Sequence, residues 1–136
     1  MREIATRLHA ASIRLLRTLR REDDGSGLSA PRLSALSVVA FGGPLSLAEL
    51  AAAEQVRPPT MSRLVDALVE AGLVTREPAP GDRRSVRIAA TAEGRRLMEA
   101  GRERRVKALV RRLGLLADSE RRALARGVEM LERVVR

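Results

Sequence analysis

What the chain lacks narrows its chemistry first. Its 136 residues include no cysteine, no tryptophan, no tyrosine, one phenylalanine and one histidine. Without cysteine there is no thiol-based peroxide sensor and no cysteine metal site, and a reducing compartment is the natural expectation. The lone His9 sits on an apolar helical stretch without a metal partner, so it reads as a packing or surface residue. It cannot serve a hydrolytic triad either, because no nucleophile elbow accompanies it, and no glycine-rich phosphate loop occurs. The expectation is a non-enzyme with no metal and no cofactor. No apolar run reaches the roughly 18 residues of a membrane span, and Met1-Arg2-Glu3 opens no signal peptide. A cytoplasmic chain with no membrane partner is therefore expected.

What it has in excess is positive charge. The 26 Lys and Arg outnumber 17 Asp and Glu, a formal +9, and the isoelectric point is near 11.6. So basic a balance in an ordinary globular composition, 45% hydrophobic, favours a polyanionic partner. Nucleic acid comes first and an acidic membrane surface second. Length and composition bound the chain to a single compact domain or one elongated subunit, 1–136, with a modest core.

The most informative stretch runs from Pro44 to Thr91. Ser46-Leu47-Ala48-Glu49 is a capping box, so a helix should begin at Ser46 and run to about Glu54. A second should begin near Pro58, whose fixed φ and missing N–H suit a first helical position, and stop around Ala71 with Gly72 as a left-handed cap. Met61, Leu64, Val65, Leu68 and Val69 place one stripe of it against a core. The opposite stripe offers Pro59, Thr60, Ser62, Arg63 and Asp66, short hydroxyls and a guanidinium near a helix N-terminus, which suit base edges and phosphates. Leu73–Arg76 and Ser85–Ala89 then read as two strands around a Pro78, Pro80 and Gly81 turn, with Arg83, Arg84 and Arg87 at and beside the tip. A basic tip of this kind suits a narrow minor groove.

Leu50-Ala51, Val56, Pro58 through Asp66, Leu68, Gly72-Leu73-Val74 and Asp82-Arg83-Arg84 together resemble the winged helix of MarR-type (multiple antibiotic resistance) regulators. The resemblance extends outward: Thr91-Ala92-Glu93-Gly94 is similar to the start of that family's long fifth helix, and Leu28-Ser29-Ala30-Pro31 to the start of its second. It implies a mainly α fold with a small β-hairpin wing, a winged helix-turn-helix over 28–91, and a helical dimerisation region over 1–21 and 92–136. It also implies that Arg84 reaches DNA, that Asp82 braces the wing turn, and that Asp66 pairs with Arg84. Three positions depart from the family pattern. Arg57 stands where a Ser often caps the second helix and is placed to contact a phosphate, Ala79 replaces a common wing Asp, and Ala90 replaces a Leu.

Outside this segment Ile4, Leu8, Ala11, Leu15 and Leu19 form one helical stripe, and Leu33, Leu36, Val39 and Ala40 another that ends at Gly42-Gly43-Pro44. Arg21 to Gly27 is a polar linker. A long helix after Thr91 carries Leu97, Val106, Leu109, Val110 and Leu113, and a last one after Asp118-Ser119-Glu120 carries Leu124, Val128, Leu131 and Val135. These terminal helices have more apolar positions than a small winged module can cover, so Ile4, Leu8, Leu15, Leu109, Leu113, Leu124, Val128, Leu131 and Val135 are expected at a homodimer interface, with an intramolecular helix pair as the alternative. Arg102, Arg104, Arg105, Lys107, Arg111 and Arg112 read as a solvated face, with a second phosphate-contacting face as the alternative, and Met61 and Met98 as core fillers.

The expected function is a homodimeric, sequence-specific DNA-binding repressor on a pseudo-palindromic operator. Ser46, Arg57, Pro59, Thr60, Ser62, Arg63, Arg83, Arg84 and Arg87 are its candidate DNA residues, supported by Asp66 and Asp82. The resemblance adds release by a small-molecule effector in a crevice lined by the first, second and fifth helices. Phe41 is the one ring available to such a ligand, which leaves an aliphatic ligand, one held by an arginine, or none. A protein-docking winged helix and a non-specific nucleic-acid binder are the competing readings.

Overall fold

Capping decides where the central helices start and stop. The computed structural model describes residues 1–135, with every side chain except those of Asp24 and Arg83. Its elements are α1 (Arg2–Arg20), a 3-10 turn (Arg21–Ser26), α2 (Ala30–Gly42), α3 (Leu47–Ala53), α4 (Pro58–Glu70), β1 (Val74–Ala79), β2 (Asp82–Ala90), α5 (Ala92–Leu113) and α6 (Asp118–Val134). The fold is mostly helical with one antiparallel hairpin, as the sequence implies. Part of the expected polar linker is wound into the 3-10 turn.

The capping box at α3 forms as expected. Ser46 Oγ accepts the Glu49 N–H at 3.2 Å and the Ser46 N–H donates to Glu49 Oε2 at 2.7 Å. Both central helices then end on the same device. At the end of α4 the Gly72 N–H donates to Val69 O and the Leu73 N–H to Leu68 O, both at 2.9 Å, with Gly72 at φ +70°. At the end of α3 the Gln55 N–H donates to Ala52 O at 3.1 Å and the Val56 N–H to Ala51 O at 3.0 Å, with Gln55 at φ +55°. These are two Schellman caps, one on glycine and one on a side-chain-bearing residue that accepts the left-handed penalty. The second cap makes the turn between α3 and α4 tight.

The hairpin is longer than expected, pairing Val74 with Ala90 through Pro78 with Val86, then shifting register so that Ala79 faces Asp82. Pro80 followed by Gly81 at φ +81° suits a type II turn at the tip. Leu45 adds a third bridge, exchanging backbone hydrogen bonds with Ile88 at 3.1 and 2.7 Å, so the wing is stitched to the segment before α3.

Two bodies emerge from this chain, residues 23–102 and residues 1–22 with 103–136. In the first, Leu36, Val39, Leu50, Met61, Val65, Leu68, Val74, Ile88 and Met98 share one buried core. Met61 and Met98 are core fillers as read from sequence. Val69 is 36% exposed, because eight residues after Met61 the stripe has rotated partly off the core. Gly94 is buried where α5 leaves the hairpin, and a Cβ there would stand 2.1 Å from Leu73 O. Thr91 completes the junction, its Oγ1 donating to Gly72 O at 2.7 Å and accepting the Gly94 N–H at 3.0 Å. That close approach is the physical reason for a Thr-x-x-Gly start to this helix. In the second body α1 and α6 bury no residue at all.

Candidate nucleic-acid interface

The exposed stripe of α4 begins at a helix end that is poor in backbone donors. Arg57 is the N-cap and makes no side-chain capping bond, and Pro58 and Pro59 have no N–H to offer. The Thr60 and Met61 N–H groups both turn inward to Arg57 O at 3.0 Å. An anion at this end is therefore met by side chains rather than by free amides, in contrast to an ordinary helix N-terminus. Arg57, Pro59, Thr60, Arg63 and Asp66 are exposed, while Ser62 is half-buried. The stripe read from sequence thus lies on one solvent-facing side, opposite Met61, Val65 and Leu68.

The wing carries one brace of its own and two ties to neighbouring helices. Asp82 Oδ1 accepts the Arg84 N–H at 2.9 Å, closing the turn as expected and leaving the Arg84 guanidinium exposed. The expected Asp66–Arg84 pair is not formed. Asp66 instead receives the guanidinium of Arg76, a residue on β1. The reason is the length of the hairpin: Arg76 stands near its base, close in sequence to the end of α4, while the extra strand residues carry Arg84 toward the tip. The side chain of Arg83 lies outside the described residues.

Arg87 is half-buried on β2, and its Nη1 donates to Pro44 O and to Glu49 Oε2, each at 3.2 Å. Glu49 is therefore shared between the cap of α3 and the strand of the wing. Hydrogen bonding from Ser46, the backbone amide first and the hydroxyl next, together with the positive Arg87, holds the Glu49 carboxyl below its ordinary value. Sequence reading missed the Glu49–Arg87 and Asp66–Arg76 ties, because residues 38 and 10 apart have no local pattern to announce them. Both pairs are exposed enough that their energetic worth is small, and what they add is geometry.

A capped two-helix unit with a bipartite basic surface, one part a helix stripe and one a hairpin tip, is the arrangement of a winged helix-turn-helix. Comparison with known proteins agrees. Residues 26–85 match the model of the MarR family. Over 128 residues, 94% of this chain and 90% of the relative, the sequence is 37% identical to an uncharacterized HTH-type transcriptional regulator of Mycobacterium leprae. The chain belongs to the MarR family. Its fold is similar to that of a MarR family protein from Bacillus stearothermophilus, with a TM-score of 0.81, 26% identity, and coverage of 98% of this chain and 93% of the other. A MepR mutant of S. aureus solved bound to an oligodeoxyribonucleotide shares the fold at a TM-score of 0.73 and 17% identity, covering 98% of each chain. This MarR-family chain is thus a DNA-binding transcriptional regulator. Among the described residues no helix is long and apolar enough to cross a membrane.

Proposed function

We propose that this MarR-family protein is a homodimeric repressor that reads a pseudo-palindromic operator with α4 in the major groove and the wing tip in the adjoining minor groove. The observation that carries the reading is the exposed side of α4 formed by Pro59, Thr60 and Arg63, with the braced wing and its exposed Arg84 head. Arg63 is the base-reading guanidinium, Thr60 and Ser62 assist it, Arg57 contacts phosphate, and Arg84 enters the minor groove. The oligonucleotide-bound relative supports DNA as the partner.

The dimer rests on a burial argument. Ile4, Leu8 and Leu15 of α1 are 68, 38 and 46% exposed, and Leu113, Leu124, Val128, Leu131 and Val135 are between 37 and 80% exposed. Such stripes, those of α1 and α6 on helices with no buried residue, call for a partner surface, and a twofold copy supplies one while setting two reading heads about 34 Å apart. Leu109 is the half-buried member of the set. Effector release accompanies the family reading, and with Phe41 as the one Phe, Tyr or Trp ring the choice is an aliphatic ligand, one held by an arginine, or none.

Selection of bound sequences from a random duplex pool at near-physiological salt tests this directly, with an Arg84→Ala control. A palindromic consensus with half-sites about one helical turn apart is expected. No enriched sequence would overturn the operator reading in favour of non-specific binding or protein docking.

A further inference from the structure

The basic character of the chain does not lie where the reading surface lies. Residues 23–102 hold ten Lys or Arg and ten Asp or Glu, so this body is neutral. Residues 1–22 with 103–136 hold 16 against 7, and the entire +9 belongs to them. Sequence-independent affinity for duplex DNA grows with the number of phosphates that cations neutralise, and a neutral lobe with a few exposed arginines supplies little of it.

Within the basic body the charge is arranged. On α6 Arg122, Arg126 and Arg133 each stand two residues before an apolar one, Leu124, Val128 and Val135. On a helix of 3.6 residues per turn that is a rotation of about 200°, so the arginines form a row diametrically opposed to the apolar stripe. Glu129, two before Leu131, is the one acidic member of the row. All three arginines are exposed and none has an ion-pair partner among the described residues, whereas Arg121 is taken by Asp118 and Lys107 by Glu103. Covering the apolar stripe with any partner leaves the row facing water. All 26 basic residues but Lys107 are arginine, whose planar fork matches phosphate oxygens in pairs.

We propose that the Arg122, Arg126 and Arg133 row of α6 is a second, sequence-independent binding surface for the phosphate backbone of duplex DNA. The row spans about three helical turns, roughly 16 Å, long enough to meet several phosphates of one duplex. Its work is the salt-dependent part of duplex affinity, leaving sequence choice to α4 and the wing. It rests on the reading above only for the identity of the partner.

The test uses the full chain and a duplex of about 20 base pairs lacking the operator. Wild type is compared with Arg122→Gln/Arg126→Gln/Arg133→Gln and with the corresponding triple lysine variant, by the slope of log affinity against log salt. Three lost phosphate contacts should flatten the slope by about 2 to 3 for each protomer bound, and the lysine variant should restore it. Operator ranking should not change. An unchanged slope in a glutamine variant that keeps its circular dichroism and oligomeric state overturns the inference; if that variant does not fold, Arg126→Gln alone should flatten the slope by about 0.9 and an unchanged value overturns it. Wild type binding phosphatidylglycerol vesicles at a salt concentration that abolishes non-operator duplex binding would reassign the row to a membrane surface, and also overturns it. Lost operator ranking with a steep, arginine-dependent slope sinks the operator reading and spares this one.

Discussion

The two bodies of this protein divide burial and charge between them in opposite ways. Among the described residues, 23–102 hold every buried apolar side chain but Ala108, and that body has no net charge. The terminal helices hold the whole charge excess and most of the exposed large apolar side chains, Phe41, Val69 and Val86 being the exceptions. The first body is stabilised by its own core. The second has an apolar stripe and a basic face but little interior, so on the proposed dimer its stability is tied to association. A positive sequence total is thus a poor guide to where DNA is read, since base selection needs a few placed groups while overall charge sets encounter and salt dependence.

The comparison can be broken from either side. The largest effect is expected in the lobe core, where Leu68→Ala removes a fully buried side chain and should cost about 2 to 5 kcal/mol in denaturant melts. Next, Leu131→Asp should raise the dimer dissociation constant about 100-fold or more by analytical ultracentrifugation, with the core of residues 23–102 still folded by its amide protection. A dimer that survives at micromolar concentration would place the interface elsewhere. Arg63→Ala should leave both bodies folded and cost about 1 to 3 kcal/mol of discrimination between operator variants in competition binding. Unchanged ranking would remove Arg63 from base reading. Gln55→Gly, relieving a side chain from the left-handed region, should stabilise the lobe by about 1 kcal/mol in the same melts as Leu68→Ala.

The smallest effect is a pH dependence at the α3 cap. The Glu49 carboxyl is held below its ordinary 4.5, so its contribution is fully present above that value and is lost as pH falls through the lower folded value. Thermal melts of wild type and Glu49→Gln should therefore differ above about pH 5 and converge in acid. A constant gap down to acid pH would mean that the charge of Glu49 does not support the cap or the Arg87 tie.

Much of the site was legible because it is locally coded. The Ser46–Glu49 box, the Gly72 cap, the prolines opening α4, the Met61-to-Leu68 stripe and the Asp82 brace each use residues within a few positions of one another. What stayed hidden either breaks a local preference or joins distant positions. Gln55 in a left-handed cap has no sequence signal, because glycine is the residue that advertises that conformation. The extra length of the hairpin carries Arg84 toward the tip and leaves Arg76 near the base, where it meets Asp66.

By itself, then, the sequence determined the order of the elements, the caps at Ser46 and Gly72, the winged helix-turn-helix family and the chemical kinds of side chain available on α4 and the wing. Periodicity and capping act over one or two turns, and so can be read along the chain. Only the tertiary structure decided which arginines are spent inside the protein, Arg76 on Asp66 and Arg87 on Glu49, and which heads remain exposed. It also decided that the neutral body is the buried one and the basic body the uncovered one. Those outcomes depend on distances between residues far apart in sequence, which exist only once the hairpin register and the core packing have formed.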